Sequence, residues 1–267
     1  MTKLVFIGGY GKSGTTLLEI LMAGSPAVIA CGEVLSITRR KKDKGCTCGR
    51  PRNECPVWSF LYDRNPAPIW THVGLLQELI QRVGRQYSAI IDSSKTAWGS
   101  ASSPFRLRRR FGPDFVLVHI TRQPTAACWS VIKRKEKTAK QEGRRLLPYP
   151  LRCGWTVLHW SFANLSCELF GLLYPRQYLR LRYEDLVRSP AAEVRALFAR
   201  FFPEINWSFV EPSARDNRHQ RYGNSIRRRP LTIADVKEDL RWKAETPPEY
   251  SRVVLALSYP LRRRYGY

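Results

Sequence analysis

Apolar residues follow two alternating patterns along this chain. Short runs of strand length fall at residues 4–7, 89–91, 115–120 and 178–181, most of them running into glycine, serine or proline turns. Between them, apolar positions recur with helical period at about 15–23, 72–87, 124–137, 155–173 and 190–202. Two of these helices open on Pro124 and Pro190, a favourable first helical position. Strands that alternate with longer helices predict an α/β fold with a central, mainly parallel sheet flanked by helices. Residues 38–70 and 206–230 lack a period and are rich in charged, polar, Cys or Pro positions. They read as irregular insertions, the first on the catalytic face, within a single domain spanning 1–267. No run approaches the ~20 apolar residues of a membrane span, and the first run stops at Gly8, so neither a span nor a secretory leader is expected.

Charge narrows the class of ligand. The 267 residues hold 45 Lys+Arg against 22 Asp+Glu, a net charge of +23, while 43% apolar residues exclude a disordered chain. Arginine accounts for 33 of the 45 cations and suits bidentate recognition of phosphate or sulfate. Nucleic acid is one candidate polyanion, and peripheral contact with an anionic membrane is compatible with the same charge. Seven cysteines form an odd set, which fits reduced thiols and a cytoplasmic setting. Cys46, Cys48 and Cys55 resemble part of a zinc knuckle, but only three ligands are local and the C-x₂-C spacing is absent, so a Gly/Pro-punctuated loop with buried thiols is the favoured reading, no metal is assigned to the site, and whether this loop binds zinc stays open.

The sharpest local signal is Gly9-Tyr10-Gly11-Lys12-Ser13-Gly14-Thr15-Thr16-Leu17-Leu18, directly after the first strand and opening the first helix. Backbone N–H groups and the positive helix end make such a loop a cradle for phosphate or sulfate. Aligning Gly9 and Gly14 on G-x-x-x-x-G-K-[ST] puts Thr15 where an ATPase or nucleotide kinase carries its phosphate-reaching lysine. The loop's cation is Lys12 instead, which argues against ordinary triphosphate chemistry and its Mg²⁺.

At Lys12-Ser13-Gly14-Thr15-Thr16-Leu17-Leu18 the sequence resembles the sulfotransferase family, whose donor is 3′-phosphoadenosine 5′-phosphosulfate (PAPS), and in particular that family's 5′-phosphosulfate loop. Further similarities lie in Ser25-Pro26 with Cys31-Gly32-Glu33, as in the tyrosylprotein and bacterial carbohydrate branches, and in Ile91-Asp92-Ser93-Ser94-Lys95. Arg122 with Ser130 resembles the 3′-phosphate segment, and Arg182-Tyr183-Glu184-Asp185-Leu186 and Gly223-Asn224-x-x-Arg227 also match. The resemblance spans residues 3–229, with Gln123 where Asp is common and Ser225 where proline often follows Gly-Asn. The first departure predicts weaker support for Arg122, the second an altered closing loop.

The resemblance implies a P-loop-containing nucleotide hydrolase-like sulfotransferase fold and sulfuryl transfer from PAPS to a hydroxyl or amine, leaving 3′-phosphoadenosine 5′-phosphate (PAP) without a metal. It implies Glu33 as base, with Lys12 and Lys95 stabilising the transferring group. Donor contacts are implied for Lys12, Ser13, Gly14, Thr15, Thr16, Arg122, Ser130, Tyr183, Asn224, Arg227 and Arg228. The acceptor is expected to be a small molecule or glycan, and its identity and the oligomeric state stay open. The rival readings are a P-loop nucleotide or small-molecule kinase and a basic nucleic-acid-binding protein, though no specific nucleic-acid reader module is found.

Overall fold

In the computed structural model, which describes residues 2–39, 45–62, 70–96, 99–209 and 217–267, five strands form one parallel sheet. These are β1 (Lys3–Gly8), β2 (Val28–Ala30), β3 (Ala89–Asp92), β4 (Phe115–Thr121) and β5 (Tyr178–Arg182), in the order β2-β3-β1-β4-β5. In β1 the pleat sends Leu4 and Phe6 to one face and Val5 and Ile7 to the other, each into a different core cluster. Both faces are covered, so β1 reads as an unbroken apolar run.

On the Phe6 face, helix His72–Val83 inserts Leu75, Leu76 and Leu79 beside Phe115 and Phe170. On the Val5 face, α1 (Thr15–Met22) and helix Pro190–Phe201 contribute Leu18, Leu21, Leu197 and Phe198. A third cluster joins helices Pro124–Glu142, Tyr149–Leu173 and Pro248–Leu257 around Trp160 and Tyr250.

The structure bears out the α/β class and adds elements the pattern did not disclose. Strand β2 has only three residues and follows α1 after a short turn, too few for a period of two to register. Helix 155–173 begins at Tyr149, where Pro148 and Pro150 set the first turn. Helix 124–137 continues to Glu142 and stops at Gly143, whose φ of 63° suits glycine.

The first insertion is exposed at residues 49–54 but then turns into the core. Cys55, Val57, Trp58 and Phe60 are buried in the Phe6-side core. Residue Arg218 of the second insertion bridges in parallel to Ala30, extending the sheet beyond β2. Residues 40–44, 63–69 and 210–216 of these insertions lie outside the described residues. Among the described residues no helix is long and apolar enough to cross a membrane.

Candidate active site

The site forms outside the carboxyl ends of β3, β1 and β4, where successive βα turns converge. Gly9 has φ 122°, and a Cβ there would run into the carbonyl oxygen of Ile120, so only glycine lets the loop leave β1 beside β4. Gly14 has φ 97°, and its missing Cβ makes room for the Tyr183 ring. Gly14 caps α1 with no side-chain hydrogen bond, so the first-turn amides remain available to an anion. Thr15 and Thr16 are buried at that end, and the buried Ser13 Oγ has no hydrogen-bond partner among the described residues.

Lys12 and Lys95 stand out in backbone geometry. With φ of 72° and 70°, they are the two non-glycine residues in left-handed conformation among the described residues. A side chain in that region costs about 1–2 kcal/mol. Burial, followed by Arg134, Lys95 and Arg122, pulls the Lys12 ammonium below the ordinary lysine range, with Asp239 opposing. Several cations therefore converge on the glycine loop, a concentration of positive charge that an anionic group would relieve.

Glu33 follows β2 and meets Lys95, which follows β3, in an ion pair; both side chains are mostly buried. The second Glu33 oxygen accepts from Ser36 Oγ at 3.2 Å. Asp92 shapes both turns, because its Oδ1 accepts from the amides of Val34 (3.2 Å) and Ser94 (3.0 Å) while Oδ2 meets His72 Nε2 at 2.6 Å. Behind them Glu19, fully buried on α1, accepts from Gly32 N, Ser93 Oγ and Gln220 Nε2 at 2.6, 2.8 and 2.6 Å. Burial pushes the Glu19 carboxyl up to about 7, against the lowering effect of those three donors. Thr96 ties the Lys95 turn to the loop: its amide donates to Gly9 O and its hydroxyl accepts from Gly9 N.

On the β4 side, Arg122 is buried and already engaged. Its Nη1 donates to Lys12 O at 3.0 Å, its Nη2 to Asp239 O at 3.1 Å, and the guanidinium lies 4.3 Å from the Tyr183 ring centre. Segment 223–227 closes over α1, with Asn224 N donating to Thr16 Oγ1 at 3.4 Å.

This sequence matches the sulfotransferase family over residues 5–208. The chain belongs to the sulfotransferase family. Its fold is similar to the sulfotransferase domain from the curacin biosynthetic pathway, at 17% identity and TM-score 0.62, covering 97% of this chain and 98% of that one. It is also similar to the sulfotransferase domain from the olefin synthase of Synechococcus PCC 7002, at 16% identity and TM-score 0.53, over 96% and 94% of the two chains. A sulfotransferase from Alicyclobacillus acidocaldarius is similar at 13% identity and TM-score 0.50, over 98% and 96%. Among curated proteins the sequence finds no match. The P-loop-like sulfotransferase fold that the resemblance implied is therefore present.

Within this sulfotransferase the residues singled out by sequence fall into distinct groups. Lys12, Ser13, Gly14, Thr15 and Thr16 form the loop and helix start, and Glu33 pairs with Lys95 across the adjoining turn. Tyr183 packs on Gly14 and under Arg122. Arg227 is buried, with Nη2 on the carbonyl of Arg221 at 2.7 Å, whereas Asn224 and Arg228 are exposed. Ser130 sits half-buried in helix Pro124–Glu142. Gln123 Oε1 caps that helix by accepting from Ala126 N at 2.8 Å, and the carboxylate beside Arg122 is that of Asp239, with Oδ2 4.0 Å from Nη2.

Sequence reading missed Glu19, Arg134 and His219. Glu19 hides in the apolar run of α1, and Arg134 is one cation in a helix crowded with them. The absence of a fourth ligand beside Cys46, Cys48 and Cys55 is corrected by His219, whose Nδ1 joins the three sulfurs, all four atoms lying within 4.8 Å of one another. Its signal was invisible because 164 residues separate it from Cys55.

Proposed function

We propose that this sulfotransferase moves the sulfuryl group of PAPS to a hydroxyl or amine of a small-molecule or glycan acceptor, releasing PAP. The observation that carries the reading is the pairing of Glu33 with Lys95 at the edge of a glycine loop whose own cation, Lys12, is held in a left-handed backbone. In this reading the acceptor oxygen or nitrogen forms a bond to sulfur as the bond from sulfur to the 5′-phosphate oxygen breaks. The acceptor proton passes to the Glu33 carboxylate, and the electron pair leaves with PAP. Lys12, the loop amides and the α1 terminus would hold the 5′ end, and Lys95 would face the departing oxygen. Arg122 with Ser130, and Asn224 with Arg227 and Arg228, are the groups assigned to the remainder of the donor. Thr15 in place of a phosphate-reaching lysine supports this over a kinase.

The test is calorimetric titration of PAP into the protein and into Lys12→Ala, together with transfer of labelled sulfate from PAPS to a panel of acceptors. Lys12→Ala should weaken PAP binding by about 1.5–3 kcal/mol through loss of a charge-assisted contact. Equal affinity of the two proteins for PAP would remove the loop from the donor site.

A further inference from the structure

Outside the site, three cysteines and a histidine converge where the two insertions meet. Cys48 Sγ lies 3.7 Å from Cys55 Sγ, and His219 Nδ1 lies 3.4 Å from Cys55 Sγ and 3.7 Å from Cys46 Sγ. All seven cysteines are free thiols, and 3.7 Å is far beyond the ~2.05 Å of a bonded sulfur pair. These spacings suit a metal. A tetrahedral Zn²⁺ with Zn–S near 2.3 Å and Zn–N near 2.0–2.1 Å has ligand-to-ligand edges of about 3.5–3.8 Å.

The surrounding backbone is shaped for thiolates. The amides of Cys48, Arg50 and Val57 each face the sulfur two residues earlier, on Cys46, Cys48 and Cys55. Donors to sulfur orient a thiolate and offset its charge. The turn is closed by Gly49, at φ 76°, whose amide donates to Cys46 O at 3.3 Å. On the other side Trp58 Nε1 donates to the carbonyl of His219 at 2.6 Å and holds the imidazole's own backbone in place. Cys55 and His219 are buried while Cys46 and Cys48 are half-buried, so the cluster is shielded yet open to an entering ion.

We propose that Cys46, Cys48, Cys55 and His219 bind one structural Zn²⁺ that clasps the first insertion to the second. Four protein ligands fill the tetrahedron and leave no open position for water, which separates this site from a catalytic zinc. Three sulfurs with one imidazole select zinc over Mg²⁺ or Ca²⁺, which take oxygen ligands.

The clasp acts on the active site through backbone. Thr47 N donates to Gln220 O, Gln220 N to Thr47 Oγ1, and Thr47 Oγ1 to Arg218 O, so the knuckle and segment 218–220 already lie edge to edge. Gln220 then reaches Glu19, and the next carbonyl but one, that of Tyr222, accepts from Glu33 N at 3.1 Å. A zinc at His219 thereby anchors the segment that seats the Glu33 turn and carries Arg227.

The test begins with metal content of the 267-residue chain, purified without chelator, by plasma mass spectrometry. About one zinc per chain is expected, and replacement by Co²⁺ should give the intense visible absorption and sulfur-to-metal charge transfer of a tetrahedral thiolate site. Cys55→Ser and His219→Ala should lose the stoichiometric metal. Should either variant fold poorly, the wild-type chain keeps the proposal testable: stripping with a strong chelator should lower its melting temperature, and Zn²⁺ but not Mg²⁺ should restore it. A protein that carries no stoichiometric zinc and takes none up would overturn the clasp. So would an iron chromophore, an octahedral Co²⁺ spectrum, or zinc content unchanged in both variants.

Discussion

Arg122 at the end of β4 donates through Nη1 to the carbonyl oxygen of Lys12, 3.0 Å away in the loop that follows β1. The residue assigned to the donor's 3′-phosphate therefore also braces the residue assigned to its 5′ end. Arg122→Ala removes both effects, together with the contact to Tyr183, and should lower stability as well as PAPS affinity by about 1.5–3 kcal/mol each. Ser130→Ala is the cleaner probe, because nothing in the loop leans on that hydroxyl. It should narrow the preference for PAPS over adenosine 5′-phosphosulfate while leaving the melting temperature unchanged. A full preference in Ser130→Ala would take Ser130 out of the clamp.

Glu33→Gln keeps the size of the side chain and its reach to Ser36, but cannot accept the acceptor proton. Turnover should fall by about 10²–10⁴ with PAP affinity nearly intact. Single-turnover transfer measured beside calorimetry separates the two quantities, and wild-type turnover in the variant would return Glu33 to a turn residue.

Glu19 should make stability depend on pH near neutrality. Its carboxyl ionises at about 7 in the folded chain against an ordinary glutamate value of 4.5, so between those values the native state holds a proton the unfolded chain has released. Stability contributed by the protonated form is complete below about 4.5 and is lost as pH rises through about 7. The span corresponds to roughly 3 kcal/mol, at about 1.4 kcal/mol for each pH unit. Denaturant midpoints of Glu19→Gln should lose most of this slope between pH 5 and 8, and a slope equal to wild type would assign it to other groups.

Chelation should separate two roles for metals. The proposed transfer uses Lys12, Lys95 and the α1 terminus where a kinase uses Mg²⁺, so single-turnover transfer in EDTA should proceed at the wild-type rate while the fold is intact. Slow loss of activity on longer exposure should follow loss of circular dichroism and of zinc. Immediate loss that Mg²⁺ restores would contradict the mechanism.

The sheet was legible where apolar runs were long enough to show themselves, as at Phe115–Thr121, and illegible at Val28–Ala30, where three residues carry no period. The candidate site was legible wherever the chemistry lies within one turn: Lys12 with Gly14, and Lys95 at the end of β3. Pairs such as Glu33 with Lys95 required the resemblance, since sequence spacing says nothing of two turns meeting across a sheet. Glu19 and His219 were hidden for different physical reasons. A carboxylate held by Gly32, Ser93 and Gln220 lies inside what otherwise reads as an apolar helix face, and a ligand delivered by a distant insertion leaves no local spacing.

The left-handed backbone at Lys12 places function and durability in opposition. Glycine would adopt φ near 70° without the Cβ penalty, so Lys12→Gly relieves strain of about 1–2 kcal/mol along with a partly buried charge crowded by other cations, whereas Lys95→Gly would leave the mostly buried Glu33 carboxylate without its cation. A search for heat-resistant variants scored on folding alone would favour Lys12→Gly and keep Lys95. It would return a sturdier protein without the loop cation that the proposed donor site needs, and selection for sulfuryl transfer would restore Lys12.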